Sequence, residues 1–83
     1  MTIKKWNPYK QEYEPHEVPD DWKLPLYSNN MDELINCVHC GKTITFGDGY
    51  TSQRYHTAAG YGYYECNACY FAYVNERISK GEL

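Results

Sequence analysis

The amino-acid sequence predicts a small α+β fold, with short strands followed by one C-terminal helix, that needs a staple besides its hydrophobic core. The chain has 83 residues, and a domain of this length buries only about 60% of the surface that its unfolded chain exposes. Aliphatic core residues are few, whereas the chain contains ten Tyr, two Trp and two Phe. Small domains of this kind usually rely on disulfides, a metal ion or oligomerisation. Four cysteines, arranged as two CxxC pairs, are the candidate staple.

The N-terminal part of the chain predicts an aromatic, acidic, proline-containing extended arm over residues 1–34. Aromatic and charged residues alternate there without a sustained helical or strand period, and this part holds all four prolines, at positions 8, 15, 19 and 25. Each proline disfavours a helix. A disordered tail is the alternative, but two tryptophans and several tyrosines are unusual in disordered segments. Residues 28–36 carry N-cap and first-turn acidic residues, which predict a short helix ending before Cys37.

The remaining chain, residues 35–83, predicts a compact four-cysteine module. Its β-prone segments and the turns between them are strand 42–46, turn 47–49, strand 50–56, loop 57–60 and strand 61–65. From Cys66 onward, apolar residues recur with the 3.6-residue period of a helix. Lys80 and Gly81 are ordinary helix-stop signals. The module is therefore predicted to end in a helix that starts at the second CxxC pair.

The two CxxC pairs predict one tetrahedral metal site with Cys37, Cys40, Cys66 and Cys69 as ligands. Each CxxC turn presents two thiolates on one side, and two such turns complete a tetrahedral set. Gly41 follows the first pair, where a metal-binding knuckle reverses the chain. Cys66 and Cys69 lie three residues apart at a helix start, on one face of the helix. Paired CxxC motifs in a reducing compartment indicate metal ligands rather than disulfides, and zinc held as a structural ion is the expected cofactor.

A knuckle, a β-prone segment and a ligand-bearing helix together resemble the treble-clef group of zinc fingers. The resemblance covers about residues 35–81 and is carried by CVHCGK and CNACYFAYVNERI. It implies a treble-clef fold, but this group has members with many functions, so it implies a scaffold rather than an activity. The size and layout are also similar to small zinc-finger proteins encoded by phages of Gram-positive bacteria.

An iron tetrathiolate of the rubredoxin type is the redox alternative. Small, acidic, aromatic-rich chains with two CxxC motifs also describe those electron-transfer proteins, and Cys40-Gly41 fits their pattern. The second motif departs from it, because Cys69 is followed by Tyr70 and a helical run instead of a second knuckle. Zinc is therefore the preferred ion.

Charge and motif content favour a non-enzymatic protein-binding adaptor or regulator. Lys and Arg number 8 against 11 Asp and Glu, whereas a nucleic-acid binder normally carries a basic stripe. A closed four-thiolate site has no vacant position for water, and the sequence shows no convincing catalytic triad, phosphate loop or carboxylate pair. No apolar run reaches the roughly 18 residues of a membrane span, and no secretory signal is recognisable. The expected location is the cytoplasm, of the host cell if the chain is phage-encoded.

Aromatic residues are the candidate contacts for a protein partner. Tyrosines are well suited to recognition surfaces because they combine large contact area with a polar tip. The residues selected on this ground are Trp6, Trp22, Tyr61, Tyr63 and Tyr64. Packing of the same rings inside a thin sheet is the competing interpretation. A nucleic-acid-binding zinc finger is the alternative function, and Lys42 and Arg54 are its candidate phosphate contacts.

Overall fold

The computed structural model describes residues 1–80 and shows a four-stranded antiparallel sheet, a two-stranded sheet and one helix. The elements in these residues are β1 (Thr2–Asn7), β2 (Glu12–Glu17), β3 (Leu34–Asn36), β4 (Thr43–Thr45), a 3-10 turn (Phe46–Asp48), β5 (Tyr50–His56), β6 (Gly62–Glu65) and α1 (Asn67–Ser79). The larger sheet has the order β2-β1-β5-β6, and β3 pairs with β4 in the smaller one. The small α+β fold expected from the sequence is thus confirmed in its coarse form.

The first seventeen residues form a β-hairpin and not the unpaired extended arm that the sequence suggests. β1 pairs with β2 along its whole length and with β5 through Lys4 and Lys5. The turn between the strands is held by Asn7, whose side-chain oxygen accepts hydrogen bonds from the amides of Tyr9 and Lys10 at 3.0 and 3.2 Å. Pro15 lies in β2 at the sheet edge, where a residue without an amide hydrogen is tolerated.

The short helix expected over residues 28–36 is wrong: the segment is irregular up to β3. Local side-chain hydrogen bonds replace the helical ones. The Ser28 hydroxyl accepts a hydrogen bond from the amide of Asn30 at 3.1 Å, and the Asn30 side-chain oxygen accepts one from the amide of Asp32 at 3.0 Å. Such turns compete directly with a helix for the same backbone groups.

The second half of the chain follows the sequence expectation closely. β5 and β6 occupy the expected strands, and α1 begins directly after Cys66. Phe46–Asp48 form a 3-10 turn, and neither Gly47 within it nor Gly49 after it has a positive φ, so the expected turn does not depend on the conformational freedom of glycine. The expected stop signal Gly81 lies outside the described residues.

The hydrophobic core joins the N-terminal hairpin to the cysteine module. Its buried cluster consists of Ile3, Val18, Val38, Tyr55 and Tyr63, with Trp22 and Leu24 packed against it. Val18 follows β2, whereas Val38 lies between the first two cysteines. The two parts of the chain therefore share one core, and the hairpin belongs to the scaffold that supports the cysteines.

Candidate metal centre

The first cysteine pair lies in the loop between β3 and β4. The amide of Cys37 donates to the carbonyl of Lys42, and the amide of Gly41 donates to the carbonyl of Cys37, both at 2.8 Å. The Asn36 side chain adds a hydrogen bond to the Gly41 carbonyl at 2.9 Å. Gly41 has a φ of +80°, a conformation that glycine adopts without the steric cost of a Cβ. These bonds build a tight chain reversal that fixes both sulfurs.

Trp22 covers this reversal from the N-terminal side. A Cβ placed on Gly41 would lie 2.4 Å from Cζ2 of Trp22, so the indole ring is in direct contact with the glycine backbone. The neighbouring chain is tied to β3 by two hydrogen bonds between Lys23 and Asn36. Trp22, a candidate partner-binding residue, therefore has a structural contact at the knuckle.

The second cysteine pair lies at the start of α1. Cys66 is the N-cap residue of this helix, with extended backbone angles, and Cys69 lies in its first turn. The amide of Tyr70 donates to the Cys66 carbonyl at 3.0 Å and closes that turn. The amide of Val38 donates to the carbonyl of Tyr64 at 3.0 Å, which docks the knuckle on β6 just before Cys66. Both pairs are thus brought together by backbone hydrogen bonds as well as by the core.

The four sulfurs have the spacing of a tetrathiolate metal site. Their Sγ atoms all lie within 4.8 Å of one another, and the Sγ atoms of Cys40 and Cys66 are 3.9 Å apart. A tetrahedral ion with metal–sulfur bonds of about 2.3 Å places its sulfurs about 3.8 Å apart. A disulfide needs about 2.05 Å, and all four cysteines are free thiols. The cluster expected from the sequence is therefore confirmed as a candidate metal site.

Burial and neighbouring groups shift the pKa values of Cys37, Cys66 and Cys69 in different directions. Burial raises the pKa of the Cys37 thiol, against backbone amides of Cys40, Cys66 and His39 that favour its thiolate. Burial and the neighbouring thiols raise the pKa of Cys69. For Cys66, burial also disfavours the thiolate, but the amide of Cys69 and the other thiols together lower its pKa. A divalent cation removes this competition, because it stabilises all four negative charges at once.

His39 lies between the first two cysteines and its side chain contacts the buried Tyr55. The Nδ1 atom of His39 lies 2.7 Å from the hydroxyl of the buried Tyr55. Burial, followed by the positive charge of Arg54, lowers the pKa of His39. His39 itself is exposed and does not belong to the sulfur cluster.

Arg54 is paired inside the protein and is not exposed for phosphate contacts. Its Nη2 atom lies 3.0 Å from Oε1 of Glu65, and the two side chains are 12% and 0% exposed. The guanidinium also lies over the ring of Tyr73, 4.5 Å from its centroid. The Ser52 hydroxyl donates to the second carboxylate oxygen of Glu65. Of the two cations expected to contact nucleic acid, only Lys42 is exposed.

The aromatic residues selected from the sequence do not form one surface. Tyr63 is 8% exposed and belongs to the core, whereas Tyr61 is 68% exposed. Tyr64 is half-buried and packs on Phe46, with ring centroids 4.7 Å apart. Trp6 is half-buried, and its ring packs edge-on against the ring of Tyr13 on β2. The candidate partner-binding residues are therefore divided between the core and the surface, and Tyr63 is not available to a partner.

An aromatic cluster that the sequence analysis did not single out lies beside the second cysteine pair. Tyr50 and Tyr70 stack at 4.9 Å with an interplanar angle of 18°, and Phe71 contacts both rings edge-on at 5.2 and 5.3 Å. Tyr50 is 39% and Phe71 46% exposed. We call these three residues the aromatic patch. Their spacing across β5 and α1 leaves no periodic signal in the sequence that joins them.

Comparison with protein-family models, curated proteins and solved structures finds no match to this chain. The resemblances to treble-clef zinc fingers and to small phage proteins therefore stay predictions from the residues. Among the described residues, no helix is long and apolar enough to cross a membrane.

Proposed function

We propose that the chain is a zinc-stabilised, non-enzymatic module that binds another protein through its aromatic patch. The donor set supports zinc in particular. Four cysteine thiolates with near-tetrahedral spacing suit Zn²⁺, which has no redox chemistry and accepts this geometry readily. An iron centre of the rubredoxin type is less favoured, because the second pair lies on the first turn of α1 instead of a second knuckle.

The order of elements around the cysteines supports a treble-clef arrangement. A knuckle at Cys37–Cys40 is followed by the β5–β6 hairpin, and α1 then supplies the last two sulfurs. In this proposal the N-terminal hairpin extends the module's sheet by two strands. The fold thereby acquires a core larger than the cysteine module has alone.

A structural role for the ion follows from the ligand count. Four protein thiolates fill a tetrahedral ion and leave no position for water or substrate. We therefore assign no catalytic residue. Free thiols arranged as metal ligands also fit a reducing compartment, which is why we place the protein in the cytoplasm.

The aromatic patch is the observation that carries the protein-binding proposal. Rigid, partly exposed Tyr and Phe rings contribute large contact area with little loss of conformational entropy, and such residues dominate binding energies at protein interfaces. Here the patch is prearranged by ring stacking and lies beside Cys69 on α1. Of the two cations that the sequence predicted as phosphate contacts, Lys42 is exposed near the patch, whereas Arg54 is paired with Glu65 inside the protein. Because one of the two is therefore unavailable to phosphates, a nucleic-acid contact is less favoured than a protein contact.

Affinity capture with chemical cross-linking tests this proposal. The tagged protein, its Phe71→Glu variant and a Tyr27→Glu control are incubated with extract of the native host, and bound proteins are identified by mass spectrometry. Tyr27 is 78% exposed, so its substitution changes an exposed aromatic residue outside the patch. We expect Phe71→Glu to lose a partner that the control retains.

Two measurements make the result decisive. Metal content and the far-ultraviolet circular dichroism spectrum must be equal in all three proteins, which shows that the substitutions leave the fold intact. Equal recovery of the same proteins by the wild type and Phe71→Glu would contradict binding through the patch. Deleting residues 1–27 is a poor test, because Ile3 and Val18 of that segment belong to the core.

A further inference from the structure

The four candidate ligands differ sharply in their access to solvent. Cys37 and Cys66 are 0% and 3% exposed, whereas Cys40 is exposed and Cys69 half-buried. The sulfur cluster therefore has a covered side and an open side. Oxidation of a cysteine follows both its thiolate character and its exposure, so the open side is where a small oxidant meets the centre first.

The covered side is protected by the packing already described. Cys37 lies between β3 and the fully buried Val38, and the hydrogen bonds of Cys37 and Gly41 close the loop around it. Cys69 borders a groove of about 330 Å³ that includes His39 and the small side chains of α1. Of the four cysteines, only Cys40 is exposed.

A second thiolate lies within reach of the Cys40 sulfur. The Sγ atom of Cys66 is 3.9 Å away, and a disulfide bond of about 2.05 Å needs an approach of only about 1.9 Å. Cys40 lies in a loop and Cys66 at a helix N-cap, so neither sulfur has to leave a regular element to make that approach.

We propose that Cys40 is the site at which hydrogen peroxide oxidises the centre, and that Cys66 completes the reaction and releases the metal. This inference rests on the proposed zinc tetrathiolate. The Cys40 thiolate attacks one peroxide oxygen, the O–O bond breaks, and hydroxide leaves, so that Cys40 becomes a sulfenic acid. The Cys66 thiolate then attacks the Cys40 sulfur, the S–O bond breaks, and a second hydroxide leaves.

The product couples the redox state to the fold. Two thiolates are oxidised by two electrons in all, one peroxide is reduced to two hydroxides, and the zinc ion keeps its charge. Only Cys37 and Cys69 remain as ligands, which are too few to retain the ion. Loss of the ion releases the loop that carries Val38 into the core and Gly41 against Trp22. The centre thus acts as a switch that thiol reductants reset.

Peptide mapping of the zinc-loaded full chain tests the order of reaction. Native mass spectrometry first establishes one zinc ion per chain. One equivalent of hydrogen peroxide is then added, zinc release is followed with a chromogenic chelator, and remaining thiols are blocked with N-ethylmaleimide. Trypsin separates the pairs, since peptide 24–42 carries the first and peptide 55–77 the second. We expect these two peptides to be cross-linked through Cys40 and Cys66.

Matched histidine variants test the role of Cys40 separately. Histidine is also a zinc ligand, so Cys40→His and Cys69→His each keep three thiolates and one imidazole. We expect Cys40→His to release zinc at least about tenfold more slowly than the wild type, because the exposed thiolate is gone. Cys69→His retains Cys40 and should therefore release zinc faster than Cys40→His does.

Each outcome bears on a different proposal. A first disulfide within either CxxC pair, a sulfenic acid first on Cys37, or equal zinc release from Cys40→His would overturn the switch while leaving the zinc site intact. A protein purified from its host without metal would overturn both the zinc site and the switch. If a histidine variant fails to bind zinc, the mapping of the wild type decides by itself.

Discussion

Replacing Gly41 by alanine tests whether the knuckle and the N-terminal segment are packed together as described. The new methyl group meets two obstacles. A φ of +80° is unfavourable for any residue with a Cβ and costs roughly 1–2 kcal/mol. The methyl would also lie 2.4 Å from the Trp22 ring, and such overpacking costs about 1–3 kcal/mol. We therefore expect the free energy of unfolding to fall by about 2–5 kcal/mol.

Gly60 provides the matched control. It also has a positive φ, +95°, but a Cβ there meets no atom within 4 Å. Gly60→Ala should therefore cost only the backbone strain of roughly 1–2 kcal/mol. Urea unfolding at saturating zinc, followed by circular dichroism, measures both variants under equal metal occupancy. The difference between them isolates the contact with Trp22.

A double substitution completes this test. Trp22→Leu replaces the indole ring by a smaller side chain and removes the obstacle to the alanine methyl. The two substitutions together should therefore lower the free energy of unfolding by less than the sum of their separate effects. A coupling of about 1–3 kcal/mol is typical of residues in contact. If Gly41→Ala costs no more than Gly60→Ala, or if the double variant is strictly additive, the described packing of Trp22 on the knuckle is wrong.

Three further predictions concern the metal, the buried ion pair and pH. Chelation of the ion, or Cys66→Ser, should lower the free energy of unfolding by on the order of 10 kcal/mol and abolish cooperative melting, and an unchanged melting curve would contradict a structural ion. The purified protein should also be colourless, since visible absorption bands would indicate iron. Glu65→Gln leaves the Arg54 guanidinium buried without its counter-charge and should cost about 3–5 kcal/mol in urea unfolding, and a loss below about 1 kcal/mol would show that the pair is dispensable. Burial lowers the pKa of His56, so the folded state binds fewer protons than the unfolded one and stability falls as the pH drops below about 6.5. His56→Phe, which retains an aromatic ring against Tyr13, should reduce that loss, and an unchanged dependence on pH would refute the assignment.

The cysteine site was predictable from the sequence because its parts are local. A CxxC turn followed by glycine, and two cysteines three residues apart at a helix start, each present two sulfurs through short-range geometry alone. β5 was equally readable, since a β-prone run is bounded by Gly49 and by a small-residue loop. The tertiary structure adds to the site the hydrogen bond that docks Val38 on β6 and the packing of Trp22 on Gly41.

The N-terminal hairpin escaped prediction because β1 is held in the sheet by its pairing with β5, which is distant in the sequence. Pro15 argues against a strand when the sequence is read by itself, and becomes acceptable only because β2 is the edge of the sheet. The helix prediction for the segment before β3 was wrong for the opposite reason, because the competing interactions there are local. Its Ser and Asn side chains do favour a helix N-cap, but they instead hydrogen-bond to the adjacent turn.

Local spacing in the sequence was enough to predict that four cysteines converge on one candidate metal site and that a C-terminal helix carries two of them. Which aromatic and charged side chains face solvent was decided only by the tertiary structure. Tyr63 and Tyr61 lie two residues apart, yet one is in the core and the other exposed. Arginine is usually exposed, but Arg54 is mostly buried because its ion-pair partner Glu65 lies on the neighbouring strand. Burial depends on what packs against a residue, and strand pairing sets those contacts.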